Sequence, residues 1–496
     1  MKWFPLLLLI ATSAFADSPT SINNDDSCDV KVGPAATLLL PYFEVDVNGT
    51  SGQTTLFTIT NVTRYPQIAH VTLWSDWAYP VMTFNVFLTG YDVQAINLAD
   101  VLIRGIIAPP SGTSSTTKPG SLSASTNPNI RSPLDCANTP GAIPQSIIAA
   151  IRTGLTTGVF NGATSCNTMG GVHFNAIGYA TIDLVASCTD RTPIDPDYYT
   201  TDLLFDNVLI GDYQQLGASP AGTGLRGTGA AGSPMVHIRA VPEGGGAGSN
   251  VGTSLPYTFY DRYTPAARRT FDRRQPLPST YAARFIQGGP NVFATNVTMW
   301  REAETGPGAS CASYYSNAYM VIGEIVRFDE HENPTTFSCF GYFGCFGPPS
   351  LPATSSTSTA GATFPNIGAS GDVGGWLYLN VSNCGSTHYS VTTDIGGVPG
   401  PTNRPGNLSP AGSTAIYGPR PSQNWVTVSM FGTLGTNSLG AEFDAASLGN
   451  GCSPAAFMSA VQPIGPAGGV FVCPPGLTLT NGTTTQCTGT NVNPQP

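Results

Sequence analysis

The sequence predicts a mostly β chain, organised as two or three immunoglobulin-like or related antiparallel β-sandwich units with long Gly/Pro/Ser/Thr-rich loops and one short helix near 145–158. Three observations carry that expectation. Charged residues make up only 10% of the chain while 41% is hydrophobic, the composition of a β-rich extracellular protein, since disorder would require fewer apolar residues. Segments of strand length rich in Thr, Val, Ile and Phe alternate with a period near two and are separated by turn-forming residues. The stretch VTLWSDW at 71–77 is echoed by VTMWREA at 297–303, each preceded by an apolar strand, which predicts a repeated unit.

The chain opens with Lys2, an apolar run from Leu6 to Ile10 and the small-x-small site Ala14-Phe15-Ala16, which reads as a secretory signal peptide over 1–16. That run is far short of the roughly 20 residues of a membrane-spanning helix, so membrane insertion is not expected. The expected location is secreted or cell surface, or periplasmic if export stops there. The first β-sandwich unit is expected over 31–108, with strands in TTLFTITN, AHVTLWSDW and MTFNVFL; YDVQAINLADVL supplies a last strand and a short helical turn. A Pro/Ser/Thr/Gly tract without periodicity makes 109–142 a low-complexity linker or loop. The region 143–254 is expected to be a helix plus a β-rich insert. Its helix places Ile147, Ile148, Ile151 and Leu155 on one face, and GYATIDLVASC, DLLFDNVLIGDY and MVHIRAV look like strands. A second β unit is expected over 255–348 and a fainter third over 349–452, where GWLYLNVSN and WVTVSMFG take the places of the repeated strands. A Cys-containing tail, 453–496, completes the chain.

Strand periodicity assigns faces to the repeated segment. Val71, Leu73 and Trp77 fall on one side, and His70, Thr72, Trp74 and Asp76 on the other. In the second copy Val297 and Met299 face one way, and Asn296, Thr298, Trp300 and Glu302 the other. Trp74 with Asp76, and Trp300 with Glu302, therefore lie among polar neighbours. A sugar-binding surface uses an exposed Trp beside a carboxylate, because the ring stacks on a pyranose while the carboxylate accepts hydroxyl protons. The segment reads first, however, as a ring packed under a loop or against the neighbouring unit, with its N–H satisfied nearby.

The acidic run Asp329, Glu330 and Glu332 is a weak calcium candidate, best explained as a solvated strand end; no other cofactor is expected. DVNGTSGQ at Asp46 superficially resembles a calcium loop but fits a hairpin turn. The histidines never occur in HxH or HxxxH spacing, which gives a zinc site no local support. Arginines 268, 269, 273 and 274 form a basic cluster that reads first as a solvated loop. A net charge of −10 argues against nucleic acid as a partner. The 11 cysteines predict a disulfide set formed in an oxidising compartment, with Cys339–Cys345 first, then Cys166–Cys188 and Cys473–Cys487.

GPAATLLLPYFEVD, followed by TTLFTITN and AHVTLWSDW, resembles the N-terminal signature of a group of uncharacterised secreted proteins of environmental Gram-negative bacteria. The resemblance implies export and a shared architecture, and it brings no activity or site residues. The function expected is a secreted or cell-surface, non-catalytic structural or binding protein, acting in adhesion or extracellular assembly on a glycan or a cell-surface protein. The alternative is a carbohydrate-binding or carbohydrate-active protein that uses exposed Trp and neighbouring carboxylates.

Overall fold

The computed structural model describes residues 30, 32–49, 52–105, 123–125, 143–160, 169–217, 232–245, 258–260, 272–278, 280–301, 324–338, 354–358, 373–380, 391–393, 399–401, 424–434, 437–448, 478–479 and 487–488. The N-terminal half supplies β1 (Thr37–Val45), β2 (Thr54–Asn61), β3 (Gln67–Ser75), β4 (Pro80–Leu88), β5 (Val93–Asn97), β6 (Ser123–Ser125), β7 (Ala176–Val185), β8 (Leu209–Leu216), β9 (Gly232–Pro234) and β10 (Val236–Ile238), with helix α1 (Gln145–Thr157) between β6 and β7. The C-terminal half supplies β11 (Thr280–Ile286), β12 (Ala294–Arg301), β13 (Glu324–Phe328), β14 (Pro334–Ser338), β15 (Thr354–Ser358), β16 (Gly374–Asn380), β17 (Val391–Thr393), β18 (Pro399–Pro401), β19 (Asn424–Leu434), β20 (Asn437–Asp444) and β21 (Ala446–Ser447). β17 and β18 form a two-stranded ribbon, as do β22 (Thr478–Leu479) and β23 (Cys487–Thr488).

The fold is mostly β and antiparallel, of the sandwich class the composition predicts. In the N-terminal half a six-stranded sheet, β10-β1-β7-β3-β4-β6, packs on a four-stranded sheet, β5-β2-β8-β9. In the C-terminal half a five-stranded sheet, β14-β13-β16-β11-β21, packs on a four-stranded sheet, β15-β12-β19-β20. The second apolar cluster joins Leu39, Trp74 and Tyr179 of the six-stranded sheet to Val297, Trp300 and Val428 of the β12 sheet, and these to Tyr281, Phe285 and Leu377 of the five-stranded sheet. The result is four β layers.

Alternation explains the layering. β7 reads AIGYATIDLV, and Ala180, Ile182 and Leu184 enter the first core with Val71, Leu73 and Phe84, while Tyr179, Thr181 and Asp183 face the other way. Each buried aliphatic side chain contributes about 1.5–3 kcal/mol. Gly178 is required where β7 crosses β3, since a β-carbon there would stand 2.0 Å from the Trp74 carbonyl oxygen. Helix α1 closes one end of this core with Ile148, Ile151 and Leu155, and Ile147 is partly buried against it. The helix stops at Gly158, whose left-handed φ of 72° lets its N–H reach the Gly154 carbonyl.

Several expected boundaries give way to this topology. The first sheet pair does not close within 31–108, because β7 lies between β1 and β3, and β8 lies beside β2. The region expected as an insert thus supplies two interior strands. The expected second and third units, 255–348 and 349–452, merge, because β16 pairs with β11 and β13 while β19 pairs with β12. DLLFDNVLIGDY is strand only from Leu209; before it stands a π-helical turn, Tyr198–Asp202. The Asp46 loop is an arch between two sheets instead of a hairpin in one, held by Asn48 N–H and Gly52 N–H donating to the Asp46 carboxylate at 3.0 Å each. What the two halves share is that β2→β3 and β11→β12 each pass from one sheet of a pair to the other.

Candidate functional site

The two tryptophans that the sequence offers for sugar stacking are both fully buried. This is the packed arrangement, and it overturns the alternative in which Trp74 and Trp300 form a sugar-stacking surface. The Trp74 indole lies parallel to Tyr179 at 5.6 Å, and its Nε1–H donates to Thr181 Oγ1 at 2.9 Å. Trp300 meets the edge of Tyr179 at 5.7 Å and stacks on Phe259 at 5.8 Å. Periodicity assigned their faces correctly, but that face is covered by the other half of the chain. Asp76 is buried as well; its carboxylate accepts from Gly171 N–H at 3.0 and 3.1 Å and pairs with His173 Nε2 at 2.5 Å, tying the β3–β4 turn to the segment before β7. Glu302 lies outside the described residues.

The arginines of the basic cluster that are described are also turned inward, correcting the expected solvated loop. Arg274 is fully buried, with Nη1 3.2 Å from Asp272 Oδ1, Nε 3.6 Å from Asp183 Oδ1, and Nε donating to Thr37 Oγ1. Asp183 Oδ2 accepts from Tyr198 at 2.8 Å and Tyr260 at 2.7 Å. Burial opposes the Arg274 charge, but Asp183 and Asp272 outweigh it and raise the guanidinium pKa. Burial, reinforced by Asp183, raises both phenols well above their ordinary value. Arg273 lies over the Phe205 ring at 3.9 Å. These groups clasp β1, β7 and three loop segments together.

The calcium candidates sit at the tip of the β13–β14 hairpin. Asp329 Oδ1 accepts from His331 N–H and Asn333 N–H at 2.8 Å each, and Oδ2 accepts from Asn333 Nδ2 at 2.9 Å. These bonds, Asn333's foremost, hold the Asp329 carboxyl below its ordinary pKa. Asp329 therefore builds the turn. Glu330 and Glu332 are exposed, and no cluster of potential metal ligands is found among the described residues. Cys188 follows β7; Cys166, Cys339, Cys345 and Cys473 lie outside the described residues, as do the side-chain surroundings of Cys487, so those pairings stay expectations.

What the fold does present to solvent is a different tryptophan. In GWLYLN the period of two sends Leu377 and Leu379 into the core and Trp376 and Tyr378 to the outer face of the five-stranded sheet. Trp376 is 49% exposed. Across β11 its register partner is Arg284, whose guanidinium carbon lies over the indole at 5.4 Å; across β13 its partner is Phe328. Tyr378, half-buried, is paired with Ala282 and Val326 in the next outward row. Gly374, two residues before Trp376, shares its face. A β-carbon there would stand 3.7 Å from Glu330 Oε1, so the Glu330 carboxylate lies against Gly374, two residues along the strand from Trp376. The signal was legible in the spacing of Trp376 and Tyr378, but the echo at Trp74 and Trp300 drew the functional reading elsewhere.

The hydrogen-bonded β13–β16 pair thus carries Trp376, Phe328 and Tyr378 as an aromatic strip, with the Arg284 cation on one side and the Glu330 carboxylate at the end. Such a strip can stack on a flat apolar surface while Arg284 donates and Glu330 accepts hydrogen bonds. No helix of the described residues is long and apolar enough to cross a membrane. No protein-family model matches the chain, and no curated protein sequence matches it.

Proposed function

We propose that the protein is exported and acts at the cell surface or in the medium as a non-catalytic binding or structural protein. The observation that carries this reading is the outward aromatic strip on the five-stranded sheet, Trp376 above all. The carboxylates of Asp76, Asp183 and Asp272 support it, because each is engaged by donors from other segments and serves to tie those segments together. The signal-peptide pattern before Ala16 and the resemblance to secreted proteins support export. The cysteine pairs proposed above fit an oxidising compartment.

Expression of the full chain in a Gram-negative host, followed by fractionation and protease shaving of intact cells, tests the location. Recovery of the chain lacking residues 1–16 from the medium or the cell surface is expected. Retention of the full chain in the cytoplasm would overturn the proposal. Binding to cells is read in the same preparations, by adding purified protein back to washed cells and measuring what sediments. A second reading, in which the ligand is a carbohydrate, is favoured by the placement of the exposed Trp376 with Arg284 over its ring and Phe328 paired across the strand.

A further inference from the structure

We infer that the outer face of the five-stranded sheet is a binding site for an uncharged oligosaccharide, with the Trp376 indole as its stacking surface; this rests on the binding reading above. The indole is the largest side chain the sheet turns outward, and its strand neighbours Leu377 and Leu379 are buried. An aromatic ring left in water on a rigid strand keeps its apolar area available to a ligand. Phe328 across the β13–β16 pairing extends that apolar surface, giving a strip wider than one ring.

The charges choose the ligand class. Arg284, over the indole, and Glu330, against Gly374 at the end of the strip, bear opposite formal charges, so the site favours neither a polyanion nor a polycation. A sugar hydroxyl is both donor and acceptor, and it can accept from the guanidinium and donate to the carboxylate. The apolar face of a pyranose ring then lies on the indole. Gly374 is itself covered, with Glu330 Oε1 and Ile286 each 3.7 Å from where its β-carbon would stand, so the open surface is the indole of Trp376. Strand pairing positions Trp376, Phe328 and Arg284, and the Asp329 turn fixes the backbone that carries Glu330, which limits the order to be gained on binding.

The test uses the purified full chain and a panel of cello-, xylo-, manno- and chito-oligosaccharides, with oligogalacturonate and alginate as anionic comparators, followed by calorimetry. Binding of at least one neutral sugar is expected. Trp376→Ala should weaken it by about tenfold or more, and Trp376→Phe, which retains a ring, by only about threefold. Glu330→Gln should have an intermediate effect. Because these side chains are exposed, the variants should melt with the wild type, which separates loss of ligand from loss of fold. Absence of neutral-sugar binding, binding restricted to the anionic comparators, or binding indifferent to Trp376→Ala would each overturn the inference. If no sugar binds but washed cells still retain the protein, a protein ligand replaces the glycan and the broader proposal stands. If neither binds, the inference and the binding reading it rests on both fail, and only the structural reading is left.

Discussion

The two faces of the six-stranded sheet are both buried, yet they are built from opposite materials. One face runs Leu38, Ile182, Val71 and Phe84 in register across four strands; the next positions along run Thr37, Asp183, His70 and Asn85 on the opposite face. The first packs on the β2 sheet as an ordinary aliphatic core, whose stability follows from area removed from water. The second packs on the C-terminal half through Trp74, Tyr179 and Trp300, with polar side chains between the rings and a buried Arg–Asp clasp beside them. An aliphatic interface tolerates small slips, whereas a buried charge is stable only opposite its partner. The difference indicates that the first face supplies most of the free energy and the second fixes how the halves meet.

The largest break in this comparison is expected at Arg274. Arg274→Met leaves Asp183 and Asp272 without their cation and should destabilise by about 3–5 kcal/mol, read by urea unfolding. A loss below about 1 kcal/mol would mean that the clasp is not formed in solution. On the aliphatic face Ile182→Ala should cost about 2–4 kcal/mol through lost burial and the cavity left behind, with no change in its dependence on salt. Thr181→Val removes the acceptor of the Trp74 N–H and should cost about 1–3 kcal/mol.

Histidine sharpens the comparison through pH, since each face holds one. Burial lowers the pKa of His70 on the polar face, opposed by Asn85 and by the charges of Asp183 and Asp202; burial also lowers that of His237 on the aliphatic side, where its Nε2 accepts from Gly211 N–H. For both, the unfolded state takes the proton first as pH falls through 6.5, so stability is lost toward acid, by at most about 1.4 kcal/mol per pH unit for each. His237→Asn and His70→Asn should each flatten that slope below pH 6.5 in unfolding curves. A slope unchanged in either variant would assign the acid loss to other groups. The smallest effect is expected at Thr72, which is paired with Thr181 across β3 and β7 and whose buried Oγ1 has no hydrogen-bond partner. Thr72→Val should be neutral or stabilising by up to about 1 kcal/mol, against the loss at its neighbour.

Much of the local structure was legible because it depends on short-range pattern. The Ile148-Ile151-Leu155 stripe located the helix, and alternation placed Val71 and Leu73 opposite His70, Thr72 and Trp74. The same rule, applied to Trp376 and Tyr378, marks the strip proposed as a binding surface. Position within the sheets was not legible. Nothing in the spacing of β7 reveals that it inserts between β1 and β3 across more than a hundred residues, and nothing around Arg274 reveals that Asp183 waits for it.

By itself, the sequence determined the mostly β class, the element types and which side chains share a face, because backbone sterics and a period of two act within a few residues. Only the tertiary structure decided which of those faces meets water. Trp74, Trp300 and Trp376 occupy similar strand contexts, and what distinguishes them is the layer that covers the first two and leaves the third open. That outcome depends on long-range strand pairing, where distant residues must arrive together before either gains anything from the contact.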